Sequence, residues 1–276
     1  MIVDLHCHSN VSDGALAPAA VVRRAAQKGV EMLALTDHDQ LAGLAEAAAA
    51  AQEAGIAFVP GVEVSVTWRG GTVHVVGLQI DPRNRSLEAA LAQVRSGRLR
   101  RADAMGQSLA QAGIAGCFEG ALRLVANEEM IGRAHFARYL AEIGVVGSVR
   151  EAFRKFLVPG RPGYVAHQWA ELEAAVGWIR AAGGTAVLAH PGRYRYSAAA
   201  RDELLREFRQ AGGMGLEVVT SSHSTDQQQL FAALARSFGL QASRGSDFHA
   251  PEEGVEFGAL PDDPESLPAV WKDWAG

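Results

Sequence analysis

Residues 2–8 read Ile2-Val3-Asp4-Leu5-His6-Cys7-His8, and residues 32–38 read Met32-Leu33-Ala34-Leu35-Thr36-Asp37-His38. Each is a short apolar run of strand length that stops on histidine and carboxylate. Between them, Leu16 to Lys28 reads as a helix, with Pro18 near its start and Gly29 at its end, the residues that mark helix boundaries. Strand, helix, strand is the repeating unit of an α/β fold with a parallel sheet. The unit recurs outward along the chain. Leu41 to Ala54 is predicted helical and closes on Gly55, Ala57 to Val59 and Val62 to Val66 are strand-like, and Val73 to Ile80 pairs with them across Arg69-Gly70-Gly71, a turn signal.

The pattern then changes. From Asp81 to Val158 arginine and alanine recur with helical spacing and β-branched runs are almost absent, so residues 82–158 are predicted to be a helical insertion. Arg161-Pro162-Gly163-Tyr164-Val165 closes it. Alternation resumes with a helix at Leu172 to Ala182, a strand at Thr185 to Ala189, a helix near Arg201 to Ala211 and a strand at Gly215 to Val219. A helix at Thr225 to Phe238, a strand at Leu240 to Ser243 and a short final helix containing Trp271 and Trp274 complete it. The expected body is therefore 1–81 with 159–276.

Six of the nine histidines sit in short clusters with carboxylates: His6-Cys7-His8 followed by Asp13, Asp37-His38-Asp39, Glu63 with His74, His190-Pro191, and Asp247-Phe248-His249. Imidazole plus carboxylate suits Zn, Mn or Fe rather than Ca or Mg alone. Buried charge is costly unless paired or metal-bound, and five such clusters together point to a multinuclear metal centre. Each cluster falls at the carboxyl end of a predicted strand, the face on which α/β barrels build their sites. A closed barrel brings His6, Glu63, His190 and Asp247 to one spot, whereas an open sheet spreads them in a line. Asp37, Asp39 and Glu217 are expected to orient the ligands as outer carboxylates.

With 276 residues the chain has room for one large domain or one domain with an insertion. Its 48% hydrophobic and 21% charged residues are an ordinary globular balance. A net charge of −5 argues against a broad nucleic-acid footprint and leaves room for a local basic pocket. Cys7 and Cys117 form no CxxC, so no disulfide framework is expected. Cys7, between His6 and His8, points to the other side of the strand and reads as a small core residue. The first residues lack the basic start and apolar run of a signal peptide, and no apolar stretch approaches membrane-spanning length. The expected location is the cytoplasm, with no membrane association and no obligate protein partner.

Taken in order, Asp4-Leu5-His6-Cys7-His8-Ser9, Ser12-Asp13-Gly14, Leu35-Thr36-Asp37-His38-Asp39, Gly61-Val62-Glu63, His74, His190-Pro191 and Gly245-Ser246-Asp247-Phe248-His249 resemble the motifs of the PHP (polymerase and histidinol phosphatase) family. The resemblance covers most of the chain. It implies a distorted (β/α)7 barrel related to the amidohydrolases, with two or three divalent metal ions, Mn foremost and Zn or Fe as alternatives. It also implies the grouping of ligands: His6, His8, Glu63 and Asp247 for one ion; Glu63, His74 and His190 for a second, with Glu63 bridging; Asp13, His38 and His249 for a third.

Arg133-Ala134-His135-Phe136-Ala137-Arg138-Tyr139-Leu140, Gly163-Tyr164-Val165 and His190-Pro191-Gly192-Arg193-Tyr194 are similar to the bacterial PHP subgroup of 3′,5′-nucleotide bisphosphate phosphatases, some of which also trim RNA from its 5′ end. The resemblance implies removal of the 3′-phosphate, as from adenosine 3′,5′-bisphosphate, by a hydroxide held between cations. Divalent ions lower the pKa of bound water to about 7 and neutralise phosphate oxygens. A second phosphate needs its own cations, and the resemblance assigns substrate binding to the helical insertion. Arg133 and His135 are the first candidates, because the arginine fork matches phosphate; Lys155 and Arg193 follow. His223 is a candidate proton donor to the leaving oxygen, His167 is read as non-catalytic, and Trp68, Trp169 and Trp178 as core or rim residues. The alternatives are a 5′-to-3′ exoribonuclease on short RNA, a histidinol-phosphate phosphatase, and a non-catalytic metal-binding module.

Overall fold

β1 (Val3–Asp4), β2 (Met32–Leu35) and the start of β3 (Ala57–Trp68) lie parallel, with Val3 opposite Met32 and Leu35 opposite Pro60. β3 then runs on and pairs antiparallel with β4 (Gly71–Leu78) from Gly61 opposite Leu78 to Trp68 opposite Gly71. β4 pairs antiparallel with β6 (Thr185–Leu188), and the parallel order resumes through β7 (Gly215–Thr220) and β8 (Gln241–Gly245). β5 (Ala170–Glu171) pairs only with the far end of β3. The computed structural model describes residues 1–263 and 267–274.

The sheet closes between its two edge strands. Leu5 N donates to Arg244 O at 3.0 Å, Asp247 N to His6 O at 2.7 Å and His8 N to Phe248 O at 2.8 Å. The result is a seven-strand path, β1-β2-β3-β4-β6-β7-β8, with one strand reversed, which is the distortion expected of the barrel. Closure demands close approach: a Cβ added at Gly245 would stand 2.2 Å from His6 Cβ and 2.7 Å from His6 N. Gly245→Ala should therefore push β8 off β1 at the first ligand. A loss of about 1–3 kcal/mol, the cost of overpacking, is expected in denaturant titrations, and an unchanged midpoint would refute this account.

The two-residue period sorts side chains into layers. Val3, Leu5, Met32, Ala34, Val59, Val76, Leu78, Val187 and Ala189 fill the barrel interior, while Leu33, Leu35, Val62, Val64, Val66, Leu188 and Leu216 pack outward against the helices. The helices are α1 (Pro18–Gln27), α2 (Leu44–Ala54), α3 (Arg85–Arg95), α8 (Leu172–Ala181), α9 (Ala198–Gln210) and α10 (Thr225–Phe238). Their boundaries follow the expected signals: Pro18 opens α1, and a capping box of Ser224 and Gln227 opens α10.

A second small core joins α4 (Arg98–Gln111), α5 (Cys117–Leu122), α6 (Arg133–Glu142) and α7 (Val149–Ala152) around Met105, Leu109, Phe136, Leu140 and Leu157. Three expectations are corrected here. Leu87, Leu91 and Val94 of α3 pack in the main core, so the separately packed helical unit begins near α4 rather than at residue 82. Pro60-Gly61 does not break β3, because Pro60 lies at the last β2 pair, where a missing N–H interrupts the ladder least. Residues 270–274 form turns, not a helix; Val270 and Trp271 plug the barrel interior, and Val270 N is taken up by Ala242 O at 2.9 Å. Burial of both residues sets that segment, overriding its helical tendency.

Candidate metal centre

Glu63 is the hub. It lies within β3, three residues past the end of the β2 pairing, so a mid-strand residue still reaches the rim where β1, β2 and β8 end. Its Oε2 is 3.2 Å from His6 Nε2, 3.3 Å from His8 Nε2 and 3.0 Å from His38 Nδ1. Its Oε1 is 2.9 Å from His74 Nδ1 and 3.0 Å from His190 Nε2. His74, on β4, reaches the site from a strand interior as well. The expectation that every cluster sits at a strand end thus fails for Glu63 and His74, because β3 and β4 rise past the parallel strands.

Three sets of ligand atoms converge tightly enough to share an ion: His6, His8, Glu63 and Asp247; His38, Glu63 and His74; and His8, Asp13, His38 and His249. His38 and His8 each serve two sets, a sharing absent from the grouping implied by resemblance. His190 Nε2 lies beside Glu63 and is 3.3 Å from His74 Nδ1, at the edge of the second set. In the third set Asp13 Oδ1 is 3.3 Å from His249 Nε2 and 3.8 Å from His8 Nδ1, and Asp13 Oδ2 is 3.8 Å from His38 Nε2.

The donor set fits divalent ions. His6 Nε2, His8 Nδ1, His38 Nδ1, Glu63 Oε2, His190 Nδ1 and Asp247 Oδ2 are buried and make no aligned hydrogen bond. Such orphans are rare unless an ion satisfies them. Glu63 and His6 stand close without pointing at each other, as ligands aimed at a shared centre do. Asp247, Asp39 and His190 take positive φ values of 53°, 47° and 25°, the backbone strain that collects at functional sites.

Outer groups orient the ligands. Glu217 Oε1 holds His6 Nδ1 at 2.7 Å, which leaves Nε2 to face the centre, and its Oε2 accepts His190 N at 2.6 Å. Asp247 O fixes His249 Nδ1 at 2.9 Å. Asp39 accepts Ser65 N at 2.7 Å and pairs with buried Arg98. The Tyr194 hydroxyl donates to Ala189 O and accepts from His74 N, both at 2.9 Å, tying two ligand strands together. Asp37 accepts from Ser9 N, Ser9 Oγ and Ser12 Oγ at 2.8, 2.6 and 2.6 Å. It shapes the loop that carries Asp13 and touches no reacting position, so no catalytic role follows.

Burial opposes ionisation of Glu63, Asp13 and Asp247, yet the surrounding imidazoles, with Arg193 for Asp247, hold all three well below the usual carboxylate range. Burial also opposes the His8 imidazolium, but hydrogen bonds to Asp247 and Glu63 outweigh it and raise the pKa to about 10. Burial lowers His38 to about 3 and His190 to about 4, so both are neutral at pH 7, as a ligand must be.

The remaining predicted residues divide. Arg193 reaches the rim: its Nη2 is 2.5 Å from Asp247 Oδ2, a charge contact without hydrogen-bond alignment. Arg133, on α6, feels the charge of Asp13, while its Nη1 donates to Leu157 O at 3.4 Å and its guanidinium lies 5.9 Å over the Phe153 ring. His135 is buried, accepts from Gly132 N at 3.1 Å through Nδ1, and is lowered to about 4 chiefly by burial. It is a neutral donor through Nε2, not the cation expected. Lys155 pairs with Glu151 at 2.7 Å on the exposed side of the insertion, and none of its contacts among the described residues reaches the cluster. His223 is corrected too: its Nδ1 donates to Val218 O at 2.9 Å, its Nε2 accepts from Gly192 N at 3.0 Å, and its ring stacks on Phe231. With both nitrogens held by backbone, it braces the His190-Pro191-Gly192 turn and has no proton to give. His223→Gln should lower kcat less than about tenfold, where loss of a general acid costs about 10²–10⁴; a larger loss would restore it as the acid.

Arg101 was missed. It is buried, donates from Nε to Val165 O at 2.9 Å, and lies 5.3 Å over the Trp169 ring beside Arg98. Among the described residues neither Arg101 nor Arg133 has a carboxylate partner. Burial and the charges of Arg133 and Arg98 lower Arg101 to about 9. The available signal was the three-residue spacing of Arg98 and Arg101, which aligns their side chains on one face of α4. Trp169, covered by two guanidiniums, is buried in the main core, within the expectation of a core or rim residue.

A family model described as the PHP domain matches residues 4–221. The chain is 55% identical over 272 residues to a 3′,5′-nucleoside bisphosphate phosphatase of Chromobacterium violaceum, covering 98% of this chain and 95% of that one. It is 41% identical over 276 residues to a 5′-3′ exoribonuclease of Escherichia coli, covering 99% and 94%. Among solved structures it matches an amidohydrolase of Chromobacterium violaceum with bound sulfate at a TM-score of 0.95 and 55% identity, covering 98% and 95%. It also matches a protein of Bifidobacterium adolescentis assigned as a metal-dependent phosphoesterase, at a TM-score of 0.81 and 29% identity, covering 97% and 92%.

Proposed function

This chain belongs to the PHP domain family, and we propose that it is a metal-dependent phosphatase that removes the 3′-phosphate of 3′,5′-nucleotide bisphosphates. The observation that carries the substrate is the pair Arg101 and Arg133: two guanidiniums on the insertion without acid partners among the described residues, close enough to feel each other's charge, with Arg133 also feeling that of Asp13 in the ligand cluster. Buried like charges are unfavourable alone and favour an anion between them. One phosphate then sits on the Glu63 centre and the other between the arginines, with His135 donating through Nε2. Arg193 neutralises charge at the rim.

His6, His8, Glu63 and Asp247, with His74, His190 and His38, would hold two ions, and Asp13, His38 and His249 with His8 a third. Bound divalent cations supply Lewis acidity to the phosphoryl oxygens and ionise water near neutral pH. Glu217, Asp39 and Tyr194 keep the imidazoles aimed. Manganese suits this donor set, as do Zn and Fe. Two free, buried cysteines suit the reducing cytoplasm, and no described helix is long and apolar enough to cross a membrane.

The test is phosphate release by Mn-reconstituted protein from adenosine 3′,5′-bisphosphate, beside 3′-AMP, 5′-AMP, histidinol phosphate and a short 5′-phosphorylated RNA. Rapid release that leaves 5′-AMP is expected. The second reading, 5′-to-3′ exonuclease action on short RNA, is supported by relatives that align over nearly the whole chain. Rates that rise with oligonucleotide length would favour it. Preference for histidinol phosphate, or inertness of the metal-loaded protein toward all of these, would discard the proposal.

A further inference from the structure

Arg138, on α6, spans the two loops that carry Asp13 and His249. Its Nη1 donates to Asp13 O at 2.5 Å, while Nε and Nη2 grip both oxygens of Glu253 at 3.1 and 3.0 Å. Asp13 lies in the turn at residues 10–13, and Glu253 lies four residues after His249 in an irregular loop with Glu252 at φ 70° and Gly254 at φ 130°. Neither loop has a ladder of its own. Other ties on the Asp13 loop include the Ser9 and Ser12 bonds to Asp37, Asn10 N to Leu16 O and Gly14 N to Ser9 O at 2.8 Å each, and Ala15 N to His249 O at 2.7 Å.

We propose that Arg138 is a positioning residue for the Asp13–His38–His249 ion. Its planar fork fixes the Glu253 loop in two directions, and its remaining donor fixes the backbone of Asp13, so one rigid group adds a second clamp, beside the Ala15 N–His249 O bond, between the loops that carry Asp13 and His249. Asp13 and His249 need such a support more than the fully buried ligands do. His6, His8 and Glu63 are fully buried and come from strands or their immediate extensions, whereas Asp13 and His249 are 15% and 20% exposed and come from loops. Because Arg138 belongs to the helical insertion, it ties the loops of the third ion directly to that unit. This rests on the three-set reading of the metal centre.

The experiment is equilibrium dialysis of the full chain against Mn alone, counting bound ions and their affinities, for wild type, Arg138→Ala, Arg138→Lys and Glu253→Ala. Wild type is expected to take three ions. In Arg138→Ala and Glu253→Ala two should bind as before and the third at least about tenfold more weakly, in the range found when outer supports of ligands are lost. Arg138→Lys keeps one donor for Asp13 and loses the fork, so it should fall between. A role in folding alone would weaken all three ions together, and that pattern overturns the proposal. Three ions at wild-type affinity in Arg138→Ala would overturn it while leaving the three-set reading intact. Wild type saturating at two ions would overturn that reading and this inference with it. Should Arg138→Ala not fold, Glu253→Ala, altered on a partly exposed loop, decides in the same terms.

Discussion

Glu63→Gln should abolish phosphate release and strip the centre of the two ions that Glu63 would help to hold. The Glu63 carboxylate touches His6, His8, His38, His74 and His190 at 2.9–3.3 Å and is fully buried. Glutamine keeps the shape and removes the one anion that these five imidazoles share. Taking one partner from a buried charged group costs about 3–5 kcal/mol, which is roughly 10²–10⁴-fold in an affinity. Bound metal measured by elemental analysis should fall with activity. Retention of full metal content together with a tenth or more of wild-type kcat would show that Glu63 is not the bridge.

Arg101→Met and Arg133→Met should split activity by substrate. Each removes a charge-assisted contact worth about 1.5–3 kcal/mol, so the double variant should lose roughly 10²–10³-fold or more in kcat/KM for adenosine 3′,5′-bisphosphate. Hydrolysis of 3′-AMP, which lacks the second phosphate, should change little. Stability should move the other way. Arg101 is buried, and burial with repulsion from Arg133 and Arg98 already lowers it to about 9, so Arg101→Met should melt higher than wild type, the exchange expected where a site is kept for function. Equal losses on both substrates would place the arginines elsewhere in the mechanism. A lower melting temperature would show that Arg101 is held for packing.

Much of this was legible in the chain. Strand–helix alternation declares itself within windows of a dozen residues, and Met32–Leu35 and Thr225–Phe238 fall where periodicity and capping put them. Residue types that bind metal cannot be disguised, so His6, His8, His38 and Asp247 stood out before any geometry. The turn at Arg69-Gly70-Gly71 also announced β4 as a hairpin partner of β3, but its antiparallel pairing with β6 did not stand out, because an antiparallel strand and a parallel one share the same two-residue period. Nor did the true partners of Asp37 and His223: the bonds of Asp37 to Ser9 and Ser12 reach back 28 and 25 residues, and that of His223 to Gly192 spans 31.

What the sequence determined by itself is therefore chemistry and layering: an α/β body, an inserted set of helices, and a stock of imidazoles and carboxylates placed near strand ends. Local spacing carries that information, because side-chain direction follows the backbone period. What only the tertiary structure decided is sharing and exclusion. Glu63 serves five histidines, His8 and His38 each serve two sets, His223 spends both nitrogens on backbone, and Arg101 is left without an acid among the described residues. Each of these depends on which distant groups meet when the barrel closes, and on burial that makes every unmatched charge costly.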